Sequence, residues 1–423
     1  MFFDLKPIML ALTVAALLPT IARAQKPAAS VPKPADEQRC TGQAGVTPDA
    51  QAAACTALID SGRHSKQNLA ILHSNRGIAY GKAGDYDRAI ADFDAALRIN
   101  PNHVRAAINR GNANYAKRDY DRAIADFSQA IRIEPKSVQN VMSRAAAFEA
   151  KGDLKSAIAD YDQALKLEPN SATALTNRGL ALRRSGNIDR AIADFDQVIK
   201  LNPKDTAAYN NRAIALADRR DFDRAVADYE AAIKLEPNSA PTYLNRGLLW
   251  HARKDYDRAL GDFDKATRLA PANAAAHSAR GLTLDARGNY DAALAELDRA
   301  IALEPNNANY FDSRGSIWRN RGRFDRAVED YDKAIALAPG FAFSFYNRSQ
   351  AHYLAGRFTE ALADAGKAMA LHENSANALS LRGLIQEKLG ARDAAIADLR
   401  RAAVLDPNLP QPIDALQRLG VAR

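Results

Sequence analysis

The sequence is poor in cysteine, tryptophan and methionine, with two Cys, two Trp and four Met in 423 residues. Two Cys exclude a Cys-rich metal scaffold and a disulfide-dense mini-domain. Charge of one sign does not dominate: 58 basic residues are interleaved with 50 acidic ones, leaving +8. So diluted a surplus gives no footprint for nucleic acid. The apolar run Ile8 to Leu18 is too short to cross about 30 Å of hydrocarbon as a stable helix, so no stable membrane span is expected. GxSxG, P-loop, GxGxxG and HExxH motifs are all missing. The seven His show no short-range ligand spacing. Nothing marks a nucleophile or an acid–base pair, so the reading is non-enzymatic, with no metal and no cofactor. What remains is ordinary globular composition, 47% apolar and 26% charged, in a chain longer than one core holds. It must form several domains or a repeat array.

Residues 1–24 read as a signal peptide. Lys6 supplies the positive region, Ile8 to Leu18 the apolar one, and Ala22-Arg23-Ala24 the small residues that place cleavage before Gln25. The expected location is therefore exported, periplasmic or secreted. Residues 25–39 carry Pro, Ala and charge without periodicity and read as a flexible tether. In an oxidising compartment Cys40 and Cys55 are expected to bond to each other, closing a loop of about 15 residues worth roughly 3 kcal/mol. The alternative is two independent thiols. The bond would staple residues 40–67, including a helix over about 48–61, into an N-terminal capping segment.

Pro101, Pro135, Pro169, Pro203, Pro237, Pro271, Pro305 and Pro339 are each 34 residues apart; the next step meets Glu373, and the one after it Pro407. Nine of the 18 prolines thus stand on one lattice, which defines an internal repeat. Between prolines one skeleton recurs. His73, Gly77 and Tyr80 fall at i, i+4 and i+7, as do Ala89, Phe93 and Ala96, each set marking one helical face. Gly84-Asp85 separates the two helices and Pro ends the second. Ala holds the position of Ala89 in all ten units, from Ala123 through Ala395, letting paired helices approach closely.

This pattern of aromatic or aliphatic residue, Gly, Tyr, Ala, Phe, Ala and Pro over 34 positions resembles the tetratricopeptide repeat. The resemblance covers residues 68–407 as ten tandem units, with a short capping helix within 408–423. It implies an all-α fold, a right-handed superhelical solenoid whose first helices line a concave groove. The function it implies is a protein–protein interaction module that binds an extended peptide or a helix of a protein partner. The alternative is a self-associating or envelope-complex scaffold in which the groove is not a ligand site.

Three departures are informative. Arg replaces the family's usual Leu before the Gly in every unit, and an acid follows sixteen residues later, as in Arg76 with Asp92 and Arg212 with Asp228. An Arg–carboxylate pair per unit is expected, against two independent solvated charges. Each exposed pair is worth only about 0–1 kcal/mol, so its role is stacking register rather than bulk stability. Second, Asn75, Asn109, Asn177, Asn211, Asn245 and Asn347 precede that Arg. By the resemblance this position faces the groove, where an amide can grip a peptide backbone; alternatively the Asn bonds a neighbouring repeat. Third, the ninth unit places Phe343, Tyr346, Asn347, Gln350 and Tyr353 on one stripe. That stripe is either a ligand anchor or compensation for the small Ala365. Trp250 and Trp318 stand at the position of Tyr80 and read as core.

Overall fold

A computed structural model describes residues 35–421 apart from Glu373. The signal peptide expected over 1–24, the first part of the tether and Glu373 lie outside the described residues. Among those described there are 23 α-helices and no strand. The chain separates into two compact units, Met1–Gln163 and Ala164–Arg423, and each is described by itself.

The smaller unit begins with α1 (Asp36–Cys40) and α2 (Pro48–Asp60). Helix already at Asp36 corrects the expectation of a flexible tether through residue 39. The reason is covalent and local: Cys40 is bonded to Cys55 and fully buried, so α1 is pinned on α2. Gln51 then donates to the carbonyls of Cys40 and Asn75, each at 3.2 Å, which joins the cap to the first repeat.

Every repeat is built by the same local rules. The first helix ends in a turn whose residue is left-handed, usually Gly, as at Gly84 and Gly186. The N–H of the residue after it returns to the helix, as Asp85 does to the Tyr80 carbonyl at 2.9 Å and Asn187 to that of Leu182 at 2.8 Å. In four repeats the second helix starts on a capping Asp, such as Asp85, which accepts from the Arg88 backbone N–H at 3.0 Å. Its C-cap is extended, as at Asn100, because a following Pro disfavours helical geometry there. In the ninth unit the Pro is absent, yet His372 is extended too (φ −146°, ψ 85°), so the chain path does not depend on that residue.

In seven of the ten repeats the two helices meet at a Gly, through a missing side chain. A Cβ on Gly77, Gly179 or Gly247 would sit 2.6–2.7 Å from the facing ring of Phe93, Phe195 or Phe263. The pair changes together in the ninth unit, where Ser349 faces the Ala365 region and its hydroxyl donates to the Ala361 carbonyl at 2.7 Å. Trp250 is buried with Ala259 and Phe263, and Trp318 packs on Ala327 and Tyr331, so both serve the core.

All ten Arg–carboxylate pairs form inside their own repeats, from Arg76–Asp92 (2.7 Å) to Arg382–Asp398 (2.6 Å). The acids of nine of these pairs are buried, which corrects the expectation of exposed pairs. They join the two helices of a repeat, and the Arg side chains that reach them are only 16–31% exposed. A further arm of Arg crosses to the second helix of the preceding repeat: Arg110 to Asp94 (2.6 Å), Arg212 to Asp196 (2.5 Å), Arg314 to Asp298 (2.6 Å), and Arg348 to Asp332. One guanidinium thus holds three helices. A second, exposed set of inter-repeat ion pairs runs at thirty-residue spacing and includes Lys151–Asp121 (2.5 Å) and Arg219–Asp189 (2.8 Å).

Candidate functional site

The face on which consecutive first helices adjoin is fixed by hydrogen bonds between them. In the larger unit these helices are α9 (Ala172–Arg184), α11 (Thr206–Asp218), α13 (Ala240–Ala252), α15 (Ala274–Ala286), α17 (Ala308–Asn320) and α19 (Ala342–Leu354). Arg183 of α9 pairs with Asp218 of α11 at 3.1 Å, and Asn210 of α11 donates to Thr242 of α13 at 2.7 Å. His251 of α13 meets Thr283 of α15 at 2.9 Å, and Asn320 of α17 donates to Asp285 of α15 at 3.1 Å.

Asn177, Asn211 and Asn245 lie half-buried at one register on α9, α11 and α13. Among the described residues no protein hydrogen bond engages their side-chain amides. Leu180, Ile214 and Leu248 follow each Asn by three residues, hence 60° around the helix on the same side, and Leu282 continues the row on α15. All four are half-buried, and Leu248 lays part of its surface against Trp250, Ala259 and Phe263. Amides able to donate and accept, beside a row of aliphatic side chains, can hold a backbone while accepting apolar side chains. The aliphatic row is not among the residues that the sequence pattern first suggests. Its signal is there, as Leu or Ile three places after Asn in three successive units.

Elsewhere the row changes character. Asn75 and Asn109 belong to the smaller unit, are half-buried, and also have side-chain amides without a protein partner among the described residues. Asn347 is committed: it donates to Asp312 at 2.9 Å and accepts from Arg319 at 3.3 Å. Arg319 also donates to Gln350 at 2.5 Å, and Gln350 to the Tyr346 hydroxyl at 2.8 Å. Tyr346 and Tyr353 pack against Ala361, Ala365 and Leu381. Space vacated by Ala365 thus draws both rings inward, and of the stripe's aromatics Phe343 alone is exposed, at 60%. Here Asn347 bonds the neighbouring repeat, as the alternative reading of the ladder anticipates.

Two carboxyls on this face are pushed above the usual range by burial. For Asp312 the donors Ser344 (2.8 Å) and Asn347 oppose that effect, and for Asp285 the amide of Asn320 does. Burial lowers the His251 imidazole. Among the described residues no cluster of His, Cys, Asp and Glu could hold a metal ion, and no helix is long and apolar enough to cross a membrane.

A family profile described as tetratricopeptide repeat matches residues 75–138, 143–206, 176–240, 278–342 and 346–410, and a second of that description matches 211–284. No curated protein matches the chain. Among solved structures, that of the APC/C hetero-tetramer Cut9–Hcn1 is 14% identical, covers 88% of this chain and 93% of its own, and superposes with a TM-score of 0.51. That likeness is one of fold. The yeast Tom70 structure is 17% identical over 84% of this chain and 96% of its own, with a TM-score of 0.41.

Proposed function

The chain belongs to the tetratricopeptide repeat family, and on that premise we propose that it is a non-enzymatic module binding an extended segment of a partner protein along its first helices. One observation carries the reading: the uncommitted amides of Asn177, Asn211 and Asn245 beside the aliphatic row Leu180, Ile214, Leu248 and Leu282. With first helices about 10 Å apart and a strand rising about 3.3 Å per residue, each Asn would meet every third residue of the ligand. Asn347, Gln350, Tyr346 and Tyr353 are left to the architecture.

Copies stacked end to end through the Arg–carboxylate ladder are not favoured. Arg400 occupies the place of the carboxylate that a following repeat would reach, and Leu416 the place of the next Arg. The buried Cys40–Cys55 bond supports an oxidising location and thus export, with the leader as set out from the sequence.

The test is affinity capture from an envelope extract, using the chain without residues 1–24 beside a variant with Asn177, Asn211 and Asn245 all changed to Ala. Helicity and melting of the variant are matched first. A protein held by the parent and lost by the variant is the expected result. Equal capture by both would remove these amides from the binding surface, and no capture would count against the receptor reading.

A further inference from the structure

On the first-helix face of the larger unit some charges are paired with an opposite charge, and others meet only neutral groups. Arg183 pairs with Asp218 at 3.1 Å, Glu387 with Arg418 at 2.8 Å, and Asp312 is covered by the donors Ser344 and Asn347. Asp285 receives only the neutral amide of Asn320, at 3.1 and 3.4 Å. Among the described residues no Lys, Arg or His contacts its carboxylate. The nearby cation Arg319 aims a guanidinium nitrogen at Asn347 and Gln350 instead, and His251 spends its ring nitrogen on Thr283. Asp285 is only half-buried, so one side of it stays open to a partner. It lies one helical turn beyond Leu282, the last member of the aliphatic row.

A carboxylate partly stripped of water and held by an amide alone gains most from an incoming cation, because a charge-assisted bond replaces weak solvation. Burial raises this carboxyl, while the Asn320 amide and the charge of nearby Arg319 oppose that effect without a direct ion pair. We infer that the segment bound along the aliphatic row carries a basic side chain, Lys or Arg, that pairs with Asp285. This rests on the proposed binding face, and it adds a chemical class to the ligand: aliphatic side chains about three residues apart with one cation beyond them. Asp285 then sets specificity and the Asn amides supply affinity without selecting sequence.

The probe is a phage-displayed random peptide library selected on the full chain, followed by a synthetic peptide of the enriched sequence and its copy with the basic residue changed to Gln. Asp285→Asn keeps an acceptor for Asn320 and removes the charge. The expected result is enrichment of a Lys or Arg at a fixed distance from the aliphatic residues. The basic peptide should then bind Asp285→Asn about tenfold or more weakly than the parent, while the Gln peptide binds both alike. Enriched peptides without a basic residue, or undiminished binding to Asp285→Asn, would overturn the inference while leaving the binding face standing. Loss of both peptides by the triple Asn→Ala variant supports the face itself. No enrichment by the parent, or a triple variant that binds like it, would sink both.

Discussion

The Arg–carboxylate ladder allows a quantitative test at Arg212. Its Nε and one terminal nitrogen grip Asp228 at 2.7 and 2.6 Å, and the other terminal nitrogen reaches Asp196 of the preceding repeat at 2.5 Å. Asp228 is 6% exposed, whereas Asp196 has a side chain nearly half in solvent. The two carboxylates must therefore respond differently to loss of the Arg. Arg212→Leu leaves Asp228 as an uncompensated buried charge, which costs about 3–5 kcal/mol. Asp228→Leu leaves Arg212 with Asp196 and with water, so the cost falls to about 1–3 kcal/mol. The double change removes both charges and should cost less than Arg212→Leu alone, giving a coupling of about 2–3 kcal/mol. Because a long repeat array opens in steps, native-state hydrogen exchange over α11 and α12 (Phe222–Leu235) is the assay rather than one melting curve. Costs that add to within about 0.5 kcal/mol would refute the buried pair as a unit. Asp196→Ala serves as the internal control and should cost no more than about 1 kcal/mol.

Four further outcomes follow from particular residues. Lys254 holds a left-handed turn at φ 62°, so Lys254→Gly should gain about 0.5–1 kcal/mol, read as a higher urea midpoint. Gly179→Ala would put a methyl 2.7 Å from the Phe195 ring and cost about 1–3 kcal/mol; pairing Gly179→Ser with Phe195→Ala, as Ser349 and Ala365 are paired, should cost less than Phe195→Ala alone in thermal unfolding. Reducing Cys40–Cys55 should weaken the cap by about 3 kcal/mol, seen as exchange confined to α2 and the adjoining first repeat. His251 has its imidazole lowered from 6.5 by burial, so the neutral form stabilises the fold above that value and the contribution is lost as pH falls below it. The melting advantage of the parent over His251→Asn should therefore shrink between neutral pH and about pH 5, and an advantage growing towards acid would contradict the sign.

Architecture was legible because it repeats. One proline lattice, one Ala register and one Arg–acid spacing are each written ten times or nearly so, and helix geometry turns such periods into faces without help from distant contacts. Burial of the acids was not legible, since whether Asp92 or Asp228 meets water depends on how closely two helices approach. The third arm of Arg escaped for a similar reason: its partners vary among Asp94, Ser128 and Thr56, and only geometry unites them. Short helix at Asp36 was hidden by its Pro-rich surroundings, and a covalent bond rather than propensity holds it. In the ninth unit the stripe was visible, but periodicity does not say which way a ring turns when a neighbour shrinks to Ala365. The amide row and the charge on Asp285 were both in plain sight; that three amides are idle and that Asp285 meets only a neutral amide required the neighbours to be known.

The division of labour among the arms of each Arg bears on how such a chain changes length. The demanding, water-starved carboxylate belongs to the same unit as its Arg, while the bond that crosses to another unit ends on an acid already wetted, such as Asp94 or Asp196, or on a hydroxyl such as that of Ser128. Losing a unit from either end therefore strands no charge in the interior: the survivor keeps its own neutral pair, and the released acid simply hydrates. A duplicated unit arrives with its interior electrostatics complete and needs only a wet acid next door to fall into step. Arrays of this design can lengthen or shorten by whole units through unequal exchange of the coding repeats, with each intermediate still folded.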